Sequence, residues 1–253
     1  MTKKKIKIQN RKRRQVRRVA DKLEDHLFVD VTLKDKNRAV EEIIESSTPR
    51  KSFLVMIAVS AVLATMGILD DNAAVIIGGM LVAPMLSPIL AIALGIEMAD
   101  VRLIRRSFKV VIVFVLYAVG SSLIFALLLN QGGVDIENLN HEMSLRVETG
   151  LTTILIALVA GFGASLSLVR SELTKFMSGV AIAVALIPPL AMSAIGISIL
   201  NFNIFYNAFA SFCINLVGII LAALVVFSLV RLSDAKREME KEMKEEADLL
   251  DKN

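Results

Sequence analysis

From Phe176 to Val230 the chain runs 55 residues without a single Asp, Glu, Lys or Arg. A soluble core tolerates apolar runs of roughly 10–14 residues, and runs of about 18 or more read as membrane spans. As one helix at about 1.5 Å per residue the run would reach roughly 80 Å, against a hydrocarbon layer of about 30 Å. It must fold back on itself, and NFNIFYN (201–207) is its one polar place to turn. Residues 72–96, 110–134 and 149–169 are also free of charge. Hydrophobic residues make up 55% of the 253, above the roughly 45–50% of soluble domains. A soluble enzyme, a secreted disulfide scaffold and a disordered tail protein are all excluded. The lone Cys213 lies inside an apolar run and has no intrachain partner for a disulfide.

These runs predict an all-α, polytopic membrane protein of six helices. The spans are Ser52–Leu69 (with Ser52 as N-cap), Ala73–Ile96, Phe108–Asn130, Gly150–Val169, about 177–200 and about 206–230. Flanking them are a basic tail (1–51), a polar loop (131–149) and a charged C-terminal helix (231–253). The halves 52–130 and 150–230 then form two three-helix units. Residues 1–51 carry 16 Lys/Arg against 8 Asp/Glu, which places that tail in the cytoplasm by the positive-inside rule. Arg102, Arg105, Arg106, Arg170, Lys175, Arg231, Lys236 and Arg237 fall on the same side, and Arg146 alone on the other. Both termini are therefore expected inside the cell membrane. No cleavable signal peptide is evident, because the first apolar stretch starts too late.

Sliding the chain by 100 positions lays GMLVAPMLSPILA (79–91) on GVAIAVALIPPLA (179–191), pairing Gly79 with Gly179 and Pro88 with Pro188. Three spans is an odd number, so the two units should sit in opposite orientations, an arrangement that recurs in secondary transporters. The matched stretches are poor candidates for unbroken helix: Gly78, Gly79, Pro84 and Pro88 in span two, and Ser178, Gly179, Pro188 and Pro189 in span five. Proline removes a helix bond and clashes with the preceding turn, and Pro189 also restricts Pro188. Freed backbone groups must face protein or a water-filled cavity. Broken helices expose amides that can hold an anion or polar solute, and carbonyls that could hold a cation. Kinks and glycines also serve packing alone in membrane helices. The candidate substrate-binding residues are those eight with Ser87 and Asn215, the latter either a ligand or an interhelical hydrogen bond.

AAVIIGGMLVAPMLSPILAIALG (73–95) and MSGVAIAVALIPPLAMSAIG (177–196), followed by Asn215, resemble the bacterial and archaeal membrane family catalogued as domain of unknown function 389. The resemblance covers about residues 46–230. It implies an integral protein of the cell membrane and supplies no activity or substrate. Longer members carry a folded soluble domain; the first 50 residues here are short and very basic.

In that tail Lys3, Lys4, Lys5, Arg11, Lys12, Arg13, Arg14, Arg17 and Arg18 are candidates for binding anionic lipid, at about 1 kcal/mol per residue near a membrane surface. Nucleic acid is a weaker reading, as no aromatic residue interleaves the run. RAVEEIIES (38–46) suits a short amphipathic helix. His26 and His141 stand apart from metal-ligand spacings, no catalytic set is found, and no metal or cofactor is expected. Few ionisable residues lie within the spans, which weighs against a carboxylate-based proton pump. The leading expectation is a transporter or channel-like protein for a small polar or anionic solute. The alternative is a non-transporting scaffold whose tail binds lipid or a partner. Small residues such as Gly120, Gly161, Gly163 and Gly218 make a homo-oligomer an expected form.

Overall fold

The computed structural model describes residues 31–46, 51–83, 85–131, 150–170, 173 and 186–232. Those residues form helices and no strand: α1 (Leu33–Ser46), α2 (Lys51–Leu69), α3 (Ala73–Val82), α4 (Leu86–Glu97), α5 (Val101–Gln131), α6 (Leu151–Val169), α7 (Ile187–Ser198) and α8 (Phe202–Val230). Four of them, α2, α5, α6 and α8, are long and apolar enough to cross a membrane, and α3 with α4 makes a fifth if the bent pair is one span. Their outward faces are apolar, as at Val55, Leu116, Val159 and Leu221, and their contacts mix small and hydroxyl-bearing residues with large apolar ones such as Ile57, Phe114, Ile219 and Phe227. This is a multi-pass helical membrane protein. In a hydrocarbon solvent apolar surface gains nothing by leaving lipid, so close van der Waals approach decides the packing.

That approach is visible at three helix pairs. Gly79 lies so near α2 that a Cβ there would sit 2.9 Å from the Ser60 carbonyl oxygen, and the Ser60 hydroxyl donates to the Gly79 carbonyl at 2.6 Å. The Ser122 hydroxyl on α5 donates to the Ala61 carbonyl on α2. Gly161 on α6 faces the Ile219 backbone of α8, and Gly218 on α8 faces Ala157.

Three connections share one construction that the composition alone does not announce. GILDDN (67–72), GIEMAD (95–100) and GISILN (196–201) link α2 to α3, α4 to α5 and α7 to α8. In each, the Asx N–H donates to the glycine carbonyl: Asn72 to Gly67, Asp100 to Gly95 and Asn201 to Gly196. The residue before the Asx is left-handed, with φ of 48° at Asp71, 52° at Ala99 and 56° at Leu200, and it donates to the carbonyl after the glycine. This is a Schellman close whose last residue doubles as the next N-cap: Asn72 accepts from the N–H of Ala74 and Val75, Asp100 from Arg102 and Leu103, and Asn201 from Ile204. A left-handed non-glycine residue costs roughly 1–2 kcal/mol. Leu200 is exposed and touches little, so Leu200→Gly is expected to raise stability by about 1 kcal/mol, read as a higher melting midpoint in detergent.

Element order and packing fix directions. The ends of α2 (Ile68, Leu69), α5 (Ala126, Leu129) and α7 (Ile195, Ile199) meet the start of α8 (Ile204, Ala208) in one cluster. The end of α4 instead turns directly into the start of α5. Thus α4 and α7 run toward opposite ends of the bundle, α2 and α5 run in one direction, and α8 runs against them. Helix bounds repeat as well, with 51–69 against 151–169, 86–97 against 187–198, and α5 from 101 against α8 from 202.

The structure moves several boundaries. The first span begins at Lys51, inside which Ser52 is helical and no N-cap. The third begins at Val101, seven residues before the apolar run, because hydropathy marks the lipid boundary and the Asp100 cap marks the helix. The turn expected at 201–207 is made at 199–201, and α8 starts at Phe202. The amphipathic helix starts at Leu33, where Thr32 and Asp35 cap each other reciprocally. It buries Ala39, Val40 and Ile43 and packs on α4 and α6.

Candidate functional site

The second expected span is broken. Ala83 is extended at φ −82°, ψ 118°, as a residue preceding proline must be, and α3 and α4 meet at a bend of 53°. Pro84 lies outside the described residues, as do Ser178 and Gly179, the tail bearing Lys3 to Arg18, the loop 132–149 and the charged segment from 233 onward. Pro88 does not interrupt a helix. It occupies the first turn of α4, just as Pro188 and Pro189 occupy the first turn of α7. The missing N–H falls where the helix has no internal acceptor for it, and the fixed φ suits a helix start. For the same reason Pro188 is helical despite the restraint from Pro189.

The register of the match changes accordingly. With α4 at 86–97 and α7 at 187–198, Pro88 answers Pro189, Gly95 answers Gly196, and Ser87 answers Pro188. An offset of 100 holds for α2 and α6, and one extra residue enters before α7. The Pro88–Pro188 pairing read from the sequence is therefore replaced by Pro88–Pro189.

Both starts are buried. Met85 is 2% exposed and Leu186 5%, and neither helix has a side chain capping its first amides. By contrast α3, α5 and α8 each carry an Asx cap at their starts. An uncapped end away from water leaves amide donors at a cost of roughly 1–3 kcal/mol each. Proline at the third position of α4, and at the second and third of α7, trims the number of such donors. Each start still presents the positive end of its helix, equivalent to about half a charge. α3 ends at Val82, just before the break from which α4 starts at Leu86.

α4 packs on α5 and α8, and α7 packs on the same two helices. The candidate residues divide among these helices. Gly78 and Gly79 lie in α3, which also touches α7. Gly79 is committed to packing on Ser60, whereas a Cβ at Gly78 would meet nothing within 4 Å. Ser87 is half-buried and Pro88 buried at the start of α4. Pro188 and Pro189 open α7, where the Ser193 hydroxyl donates to the Pro189 carbonyl at 2.7 Å. Asn215 is buried within α8 at 7% exposure. Thr65 and Ser165, at matching places in α2 and α6, both donate to the carbonyl four residues back and are spent within their own helices.

Comparison with known proteins shows a family and no activity. Residues 80–221 match the family described as Domain of unknown function (DUF389). An uncharacterized protein of Methanocaldococcus jannaschii is 34% identical over 178 residues, 70% of this chain and 54% of that protein. The chain thus spans about half the length of that curated relative. No solved structure matches it. The matched region takes in the second part of α3, the break, α4 to α7 and most of α8, so the chain belongs to the DUF389 family.

Proposed function

We propose that this chain moves a small polar or anionic solute across the membrane, with the solute held between the starts of α4 and α7. The observation that carries the reading is the pair of buried, side-chain-uncapped half-helices that run in opposite directions within one ring of helices. A buried, uncapped helix start favours negative charge or an electronegative group, and the chain has two of them. In this reading the chain is built from two inverted three-helix units, the second span of each being discontinuous, and rocking of one unit against the other exposes the site alternately. Both termini lie in the cytoplasm, six spans cross the cell membrane, and copies of the chain assemble through their small-residue faces.

Liposomes holding the purified chain are expected to pass at least one member of a panel of inorganic anions, small carboxylates, neutral polar solutes and alkali cations. The cations belong in the panel because the α3 carbonyls could coordinate one. Flux indistinguishable from protein-free liposomes across the panel would contradict the proposal and leave a membrane scaffold as the better reading.

A further inference from the structure

We infer that the start of α5 is a binding site for the phosphate of an anionic phospholipid, independent of any solute path. Arg102, Arg105, Arg106 and Lys109 follow one another at intervals of three, one and three residues, so all four fall on one stripe of the helix. All four are exposed, and with Val110 they line a recess of about 390 Å³. The carboxylate of the neighbouring Asp100 is turned to the backbone, accepting from the N–H groups of Arg102 and Leu103. It caps the helix that bears the stripe.

What makes the occupant a lipid is the surface that continues from the stripe. One turn and more along α5, Phe108, Ile112 and Leu116 are 53%, 44% and 65% exposed and stand four residues apart. They occupy the same side of the helix as Arg105 and Lys109, so a basic recess opens directly onto an apolar strip. A free phosphate would use only the first; a phospholipid uses both, its headgroup among the guanidinium and ammonium groups and its acyl chains along the strip. Arginine adds a fork that matches phosphate oxygens two at a time. The helix length agrees, since 31 residues span roughly 46 Å, beyond a hydrocarbon layer of about 30 Å. The charged first two turns can then lie at headgroup depth.

The test uses the full chain in liposomes containing a photoactivatable phosphatidylglycerol, with cross-linked peptides mapped by mass spectrometry. Label is expected to concentrate on residues 102–116. Changing Arg102, Arg105 and Lys109 together to Gln should lower it at least tenfold, at about fivefold per charge near a membrane surface. A triple change in the tail (Arg11→Gln, Arg13→Gln, Arg14→Gln) should leave label at 102–116 unchanged. The charge-keeping variant Arg102→Lys with Arg105→Lys should retain most of the label, which separates loss of charge from loss of fold. Equal labelling by a phosphatidylcholine probe, label spread evenly over all lipid-facing helices, or displacement by micromolar glycerol phosphate would overturn the inference.

Discussion

Gly196→Val is expected to lower the melting midpoint of the protein by roughly 6–12 °C, the equivalent of about 3 kcal/mol in a chain of this size. A Cβ at Gly196 would stand 2.7 Å from the Phe205 backbone nitrogen and 3.2 Å from the Asn201 carbonyl oxygen. Both are backbone atoms joined by the hydrogen bond that opens α8, the Phe205 N–H donating to the Asn201 carbonyl, so neither can yield as a flexible side chain would. Overpacking of this kind costs about 1–3 kcal/mol for a few extra atoms, and a branched side chain against backbone sits at the upper end. Gly67→Val and Gly95→Val should behave alike, since their Cβ positions lie 2.8 Å and 3.1 Å from the backbone nitrogens of Ile76 and Ile104. Gly120→Ala supplies the contrast. Nothing lies within 4 Å of that position, and alanine is the better helix former by about 1 kcal/mol, so stability should be unchanged or raised. Thermal unfolding of the purified variants in one detergent, followed by circular dichroism, checks all four. Equal midpoints for Gly196→Val and Gly120→Ala would show that the three corners do not set the packing.

Flux is expected to fall at least tenfold in either of two proline pairs: Pro84→Ala with Pro88→Ala, or Pro188→Ala with Pro189→Ala. The proline at 84 is what holds Ala83 extended and keeps α3 from running into α4. Without it and Pro88, the ladder of backbone bonds can close across the gap and satisfy the amides that the solute would otherwise meet. In α7 the alanine pair adds two donors and lets the helix lengthen toward the same region. Loss of one buried hydrogen bond to a charged group is worth about 1.5–3 kcal/mol, and about 1.4 kcal/mol is tenfold in rate. Transport at full rate in both pairs would contradict the role given to the breaks.

How much of this was open to a reader of the sequence follows from what each signal measures. Charge-free runs report the lipid boundary, and the membrane-crossing helices fall where those runs lie. They do not report helix ends. Arg102, Arg105 and Arg106 read as a connection because they are charged, whereas Asp100 starts the helix before them. The broken second span was legible because proline acts on its immediate neighbours, as at Ala83. Its second half and the place of Pro88 were not, since proline interrupts a helix or opens one depending on where the preceding turn ends. The register slipped by one because apolar sequences match at many offsets; only the bounds of α4 and α7 fix it. The clearest missed signal is GIxxx followed by Asn or Asp at 67–72, 95–100 and 196–201. It recurs three times, yet its sense lies in a left-handed residue that is aspartate, alanine or leucine and never glycine. Asn215 stayed ambiguous for a physical reason: one buried amide in lipid serves a neighbour helix or a solute with the same atoms.

The claim that everything else rests on is that water and solute reach the starts of α4 and α7. Cysteine accessibility tests it without knowing the substrate. In a Cys213→Ser background, Ser87→Cys and Pro188→Cys occupy equivalent first-turn positions of the two half-helices, and Leu116→Cys lies on the exposed apolar face of α5. With a charged, membrane-impermeant thiol reagent applied to both sides of intact liposomes, positions 87 and 188 should label and position 116 should not. If 87 and 188 stay as unreactive as 116 while all three label fully after denaturation, the starts of α4 and α7 are sealed from water and the account is wrong.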